Sequence, residues 1–117
     1  MLRRAGRYFM TYSANHYAEP FYAIGYATAA APLGPWTKPA DNPLVASDEK
    51  LGVSGPGHSC IIPSLDSREL FLIYHTHALP GDPKRGRTVN IDRIVVEEGK
   101  LRVKGPTRSP QPLPSPP

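Results

Sequence analysis

Cysteine, long apolar runs and helical periodicity are all scarce in this sequence. The single cysteine, Cys60, excludes an internal disulfide framework, and its apolar neighbours Ile61 and Ile62 favour a buried small hydrophobe over a reactive thiol. No stretch reaches the roughly 18 apolar residues of a membrane span. No signal-type apolar core follows the charged start of the chain, and no long segment repeats every 3.6 residues, so a helical bundle is excluded.

Charge and apolar content are both modest. The 117 residues carry 14 Lys and Arg against 10 Asp and Glu, a formal net charge of +4. Basic residues do not form a dense run interleaved with aromatics, so nucleic-acid binding is not indicated. The length suits one small domain, but Leu, Ile, Val and Phe are few for a chain that buries its own core. We therefore expect marginal stability and self-association.

The patterns that are present are those of β-strands. Six segments rich in aromatic and β-branched residues predict strands at 7–13, 22–29, 59–62, 69–75, 87–96 and 101–104. Period-2 alternation puts Tyr22, Ile24 and Tyr26 on one strand face, whereas the apolar segment 69–75 predicts a strand covered on both faces. The predicted fold class is all-β and antiparallel.

The chain also repeats itself. The segment YFMTYS at 8–13 resembles LFLIYH at 70–75, and each unit closes on Gly-Pro followed by a proline four residues later, at 35–39 and at 106–110. Two similar antiparallel units of this size suggest two β-propeller blades, with chance similarity of two apolar strands as the alternative. Two blades cannot close a ring, which takes at least about four.

Three motifs carry candidate chemistry. Gly55-Pro56-Gly57-His58-Ser59 holds His58 on a turn, as a metal ligand or substrate contact requires, and a loop histidine of no consequence is the alternative. His75-Thr76-His77 places two rings on one strand face, which favours hydrogen-bonded histidines over zinc because no further ligand stands nearby. Arg87, after Gly86, can aim its guanidinium at a hydroxyl or carboxylate, or belong to a solvated basic cluster.

Taken in order, these motifs resemble the last part of glycoside hydrolase family 43. The resemblance runs over nearly the whole chain and is carried by RYFMTYSANHY, YAIGYATA, PLGPWTK, GPGHS, ELFLIYHTHA, GRTVNIDRI and GPTRSPQPLP. It implies a five-bladed β-propeller that hydrolyses arabinofuranosyl and xylosyl linkages in plant cell-wall polysaccharides. It also implies an inverting mechanism, in which an acid and a base about 6.5–9.5 Å apart admit a water molecule.

The resemblance does not supply the catalytic carboxylates. It implies that the base and a tuning aspartate lie in earlier blades and that the acid glutamate precedes the strand at 7–13, before Met1; Glu19 does not match it. It does match His58 to a histidine near the propeller axis that contacts a metal ion, here expected to be calcium, or a water cluster. It matches Arg87 to an arginine that reaches the sugar site. No catalytic residue is therefore assigned.

The sequence divides into residues 1–106, a partial β-propeller, and a Pro-rich tail, 107–117. We expect the C-terminal blades of a glycosidase, inactive alone, whose partners are the missing N-terminal blades and an arabinose- or xylose-containing polysaccharide. A parent of this family is expected to be secreted, and no membrane contact is expected. The alternative is a non-catalytic carbohydrate- or protein-binding β-module. The tail is expected to be a linker or disordered end, with a polyproline II interaction peptide as its alternative.

Overall fold

The computed structural model describes all 117 residues and contains seven β-strands and no helix. The strands are β1 (Leu2–Arg4), β2 (Arg7–Ala14), β3 (Ala23–Ala29), β4 (Gly57–Pro63), β5 (Leu70–Leu79), β6 (Asp82–Glu97) and β7 (Lys100–Val103). No helix long and apolar enough to cross a membrane is present.

The strands form two antiparallel sheets in which each strand pairs with its neighbour along the chain. The first sheet has the order β1-β2-β3 and the second the order β4-β5-β6-β7. Two isolated bridges, Thr28 to Thr37 and Ile24 to Val45, mark the position of a fourth strand beside β3. The prediction of an all-β chain with two antiparallel units is confirmed, and β1 is the strand that the sequence patterns missed.

The core lies between the two sheets. It contains nine buried side chains drawn from both sheets and the segment that joins them: Phe9, Ile24, Tyr26, Val45, Leu70, Leu72, Tyr74, Ile94 and Leu101. Two neighbouring residues show the two faces of β2: Phe9 is fully buried and faces the core, whereas Met10 is 36% exposed on the other side. One shared core therefore holds the two sheets together.

Burial of β3 exceeds the prediction. All seven residues of β3 are buried, so both of its faces are covered and not only the one that carries Ile24 and Tyr26. The backbone of Val45 bonds to Ile24 from the side away from β2, and the Tyr12 ring lies directly over Gly25. The sequence did not indicate these covering contacts because both partners come from other segments of the chain.

The prediction of a buried Cys60 is wrong, since its thiol is exposed. Cys60 lies in β4, which is an edge strand of its sheet and is mostly exposed beyond Gly57. It pairs with Ile73, which lies on the side of the sheet that faces away from the shared core. An apolar neighbourhood in sequence therefore did not correspond to burial in the fold.

Candidate functional site

The three motifs selected from the sequence meet at one end of the two sheets. The loop between β2 and β3, the segment before β4 and the turn between β5 and β6 are joined there by hydrogen bonds. The Ser47 hydroxyl donates to the Pro20 carbonyl (2.5 Å), and the Gly55 and Gly81 amides donate to the hydroxyls of Ser47 and Ser54 (2.9 and 3.2 Å). Hydrogen bonds to serine side chains thus hold these three connecting segments together.

His58 occupies a strained position at the start of β4. Its backbone has a φ of +53°, which non-glycine residues rarely adopt, and its amide donates to the Ser13 hydroxyl at 2.9 Å. The register of β4 on β5 shifts between Gly57 and Cys60, so His58 lies in a β-bulge. Gly57 is required beside it because a Cβ there would overlap the Tyr22 ring. The backbone thus fixes the position of the His58 Cβ atom, from which the exposed imidazole extends.

His75 lies against His58. The two rings stack with centroids 5.8 Å apart and 19° between their planes, and the Tyr22 ring lies 6.2 Å from His75. Burial is the main cause that lowers the pKa of His75, and the nearby charges of Arg87 and His58 lower it further. Its Nε2 atom is buried without a hydrogen-bond partner. The neutral imidazole is therefore the favoured form at this position.

The hydrogen-bond partners of His77 indicate a structural role. It is 2% exposed, its Nε2 lies 3.0 Å from the Tyr17 carbonyl oxygen and its Nδ1 lies 3.0 Å from the Ser54 hydroxyl. A carbonyl only accepts, so Nε2 donates to Tyr17 and, in the neutral ring, Nδ1 accepts from Ser54. The expected pair of hydrogen-bonded histidines is thus half right, because His77 is bonded and His75 is not.

Arg87 pairs with His77 across β5 and β6, so the two residues share one face of the second sheet. Its Nη1 donates to the carbonyls of Pro83 (2.6 Å) and Gly86 (3.1 Å), and its Nη2 lies 3.5 Å from the Tyr17 carbonyl. Its guanidinium is therefore held by backbone oxygens toward the loop that also contacts His77. Arg85, in the same basic loop, instead pairs with the exposed carboxylate of Asp82 at 3.7 Å.

The residues of this chain do not form a calcium site. No group of three or more His, Cys, Asp or Glu side chains is placed to hold a metal ion. His58 and its stacked neighbour His75 offer nitrogen, whereas calcium takes six to eight oxygen ligands. The calcium expectation at His58 is therefore not supported by the donor set of this chain.

The sequence patterns did not indicate that Asp92, in the second sheet, is a buried carboxylate. Asp92 is 1% exposed, and it accepts hydrogen bonds from the Tyr74 hydroxyl (2.6 Å) and from the Thr107 amide (3.2 Å). Burial, followed by the bond to Asp92, raises the pKa of Tyr74 well above its ordinary value. The alternation of polar and apolar residues in β6 did not predict this buried carboxylate, because Asp92 lies at an inward-facing position where an apolar residue is expected.

Comparison with known proteins identifies the family. The model of "Glycosyl hydrolases family 43" matches residues 1–101. The chain is 36% identical over 90 residues to an extracellular exo-α-(1→5)-L-arabinofuranosidase of Streptomyces chartreusis, and 28% identical over 98 residues to the β-D-galactofuranosidase xynD of Aspergillus niger. These matches cover 70% and 84% of the chain but only 27% and 28% of the relatives.

Solved structures agree with this assignment. A thermostable family-43 glycoside hydrolase superimposes with a TM-score of 0.92 at 54% identity, over 98% of this chain and 37% of that one. An endo-1,4-β-xylanase from Bacteroides thetaiotaomicron gives a TM-score of 0.79 at 34% identity, over 89% and 35%. The chain belongs to glycoside hydrolase family 43, whose β-propeller fold it shares, and it spans about a third of these structures.

Proposed function

We propose that this chain supplies the last two blades of a family-43 glycosidase that hydrolyses O-glycosyl bonds of arabinofuranosyl or xylosyl units in plant polysaccharides. The observation that carries the proposal is the meeting of His58, His75 and Arg87 at one end of two sheets within the residues that match the family model. Relatives named as an arabinofuranosidase and a xylanase support this substrate class.

In this proposal the isolated chain does not catalyse the reaction. Four of its carboxylates already have partners in the fold: Asp41 bonds to Tyr26, Asp66 to Ser64, Glu69 to Arg93 and Asp92 to Tyr74. Glu19 does not match the family's acid. A positioned proton donor or acceptor contributes about 10²–10⁴-fold in rate, so the acid and base of an inverting glycosidase must come from blades outside this chain.

The outer faces of the two sheets support the need for further blades. Val89 and Ile91 of the second sheet are 75% and 44% exposed, and Met10 of the first sheet is 36% exposed. Apolar side chains on the outer face of a sheet normally pack against another layer. We infer that the missing N-terminal blades cover the outer face of the first sheet and the exposed part of the second sheet around Val89, which lies beside Arg87 along β6.

The experiment restores those blades by joining this chain to the preceding part of the thermostable family-43 enzyme that it matches at 54% identity. A charged donor to a sugar hydroxyl contributes about 1.5–3 kcal/mol, so Arg87→Ala should lower kcat/KM on an aryl arabinofuranoside or xyloside about 10- to 150-fold. His58→Ala should also lower turnover, and metal analysis of the same variant tests the calcium expectation.

Arg85→Ala is the matched control, since Arg85 lies in the same loop but pairs with the exposed Asp82. It should leave kcat/KM within about twofold, as expected for an exposed ion pair. Equal losses in Arg85→Ala and Arg87→Ala would overturn the site assignment. Sugar binding by the isolated chain, with no activity after joining, would instead favour the non-catalytic binding module.

A further inference from the structure

The Pro-rich tail is tied to the second sheet at both ends. Near its start, the Thr107 amide and hydroxyl donate to the carboxylate of Asp92, at 3.2 and 2.5 Å. Near its end, the Ser115 amide donates to Glu69 and the Ser115 hydroxyl donates to Asp66, both at 2.7 Å. These two anchors belong to one segment, residues 107–115, which we call the strap.

The middle of the strap is held by one arginine. The Arg93 Nη2 atom donates to two successive carbonyls of the strap, those of Pro112 (3.1 Å) and Leu113 (3.2 Å). The same guanidinium pairs with Glu69 at 2.6 Å and lies 5.0 Å above the centre of the Phe71 ring. Arg93 is thus fixed by a carboxylate and an aromatic ring before it meets the strap.

Burial indicates that the strap covers a specific part of the outer face. Phe71 is only 3% exposed although it shares that face with the exposed residues Val89 and Ile91. Phe71 lines a cleft of about 540 Å³ together with Arg93, strand residues 88–91 and the strap. Strand β7 pairs with β6 only from Ile94 onward, so the strap lies where β6 has no partner strand on that side.

The chemistry of this contact suits a Pro-rich ligand. Proline fixes φ near −65°, and the resulting polyproline II helix leaves its carbonyls free to accept hydrogen bonds. An aromatic floor with a donor beside it is a recurring way to bind such a segment. Pro110, Pro112 and Pro114 alternate along the strap, which lowers the entropy cost of holding it extended.

We propose that the outer face of the second sheet, floored by Phe71 and Arg93, is an interaction surface for extended Pro-rich segments, and that the strap is its resident ligand. This inference does not depend on the proposed glycosidase function. It favours the polyproline II interaction peptide over the linker or disordered end, the two alternatives from the sequence, because the strap's own backbone makes the contacts that a bound peptide would make.

Two carboxylates attach the end of the strap near Ser115, and their pKa values show that the ionised forms are stabilised there. Arg93, and then the Ser115 amide, lower the pKa of Glu69; the hydroxyls of Ser64 and Ser115 lower the pKa of Asp66. Arg68 also faces Asp66, at 3.6 Å. Carboxylates with lowered pKa values hold the strap when ionised, so this part of the attachment is complete above pH about 4.3 and is lost as the pH falls through the lowered values.

The direct test is backbone relaxation by NMR on the full chain. The amides of Leu113 and Ser115 should have order parameters near about 0.85, as in β5, and Arg93→Gln should lower both below about 0.6. Ser109→Ala is the matched control, because the Ser109 side chain bonds only to Gln111 within the tail. Order parameters below about 0.6 in the unmodified chain, or no change in Arg93→Gln, would overturn the proposal.

A second test asks whether the surface binds the segment in trans. The probe is a fluorescently labelled peptide of residues 106–117, added to the 117-residue chain carrying Pro112→Gly, Pro114→Gly and Ser115→Gly. A tethered strap competes at an effective concentration of about millimolar, so the peptide should bind this variant at least tenfold more tightly than the unmodified chain. Adding Arg93→Gln should abolish binding. Equal affinity for the variant and the unmodified chain would contradict a resident ligand.

Discussion

The two sheets share one core but differ on their outer sides. Strand β3 of the first sheet is buried on both faces by other parts of the chain, whereas strand β6 of the second sheet turns Val89 (75% exposed) and Ile91 (44% exposed) outward. The second sheet has four strands and a strap, and the first has three strands and two isolated bridges on β3. The two sheets thus bury one shared interface, whereas part of the outer face of the second sheet stays exposed.

The placement of polar and apolar residues on the two faces of β6 shows this difference between the sheets most clearly. The inward position holds Asp92, which is 1% exposed, while the apolar pair Val89 and Ile91 faces outward. Asp92 is tolerated inside because Tyr74 and Thr107 satisfy it. An outward apolar face without a partner layer is typical of a blade taken from a larger ring.

The largest expected effect comes from the shared core. Phe9→Ala should lower the free energy of unfolding by about 3–5 kcal/mol, since it empties a fully buried aromatic site between the sheets. Met10→Ala, one residue along β2 and on the outer side, should cost about 0.5 kcal/mol or less. Urea denaturation of both variants measures the difference, and equal losses would mean that the sheets do not share a core.

The second effect concerns the buried carboxylate of β6. Asp92→Ala leaves the Tyr74 hydroxyl without its acceptor, which should lower the free energy of unfolding by about 1–3 kcal/mol. Asp82→Ala, at the exposed start of the same strand, should cost less than about 1 kcal/mol. Thermal melts followed by circular dichroism distinguish the two, and a harmless Asp92→Ala would show that the inward carboxylate is not held as described.

The outer face of the second sheet gives the third effect. We expect the isolated chain to self-associate through this exposed apolar face, so Val89→Lys should weaken self-association at least tenfold, because it places a charge in an apolar contact. Thr88→Lys is the matched control, as Thr88 is also exposed but lies on the opposite face of β6. Sedimentation velocity measures both. A monomeric unmodified chain with a cooperative melt above about 60 °C would contradict this prediction.

The smallest effect is the pH dependence of the strap. Because Arg93 lowers the pKa of Glu69, the unfolded state binds more protons than the folded one in the acid range, and stability falls as the pH drops below about 4.3. Glu69→Gln removes this titration, so its urea midpoint should change less between pH 7 and pH 3 than that of the unmodified chain. The same pH dependence in both proteins would exclude Glu69 as a contributor.

Much of the fold could be predicted because strand patterns are local. The segments at 7–13 and 101–104 correspond to β2 and β7 within one residue, and no helix was expected or found. Strand β5 continues four residues beyond its predicted end at His75, because it still pairs with β6 there and the His77 amide donates to the Ser54 carbonyl. The short β1 was missed because three residues, Leu2–Arg4, are too few to show a period.

The bonding of the candidate site could not be predicted from the sequence. The sequence selected His58 and Arg87 as candidate residues; the structure stacks His58 on His75 and holds Arg87 near the Tyr17 carbonyl. It could not show that His77 joins two loops through Tyr17 and Ser54, since those partners lie far away along the chain. The anchors of the strap could not be predicted for the same reason, because the residues that hold it lie 15 to 49 positions away along the chain.

The dependence of hydrolysis on the preceding blades is measured by comparing turnover of the isolated chain with that of the joined protein. Both are assayed at equal concentration on aryl arabinofuranoside and xyloside, after repeated purification. We expect no turnover above background for the isolated chain and clear hydrolysis for the chain joined to the preceding blades of the thermostable enzyme. Equal turnover by the two proteins would contradict this expectation, because the two sheets alone would then hold a complete active site.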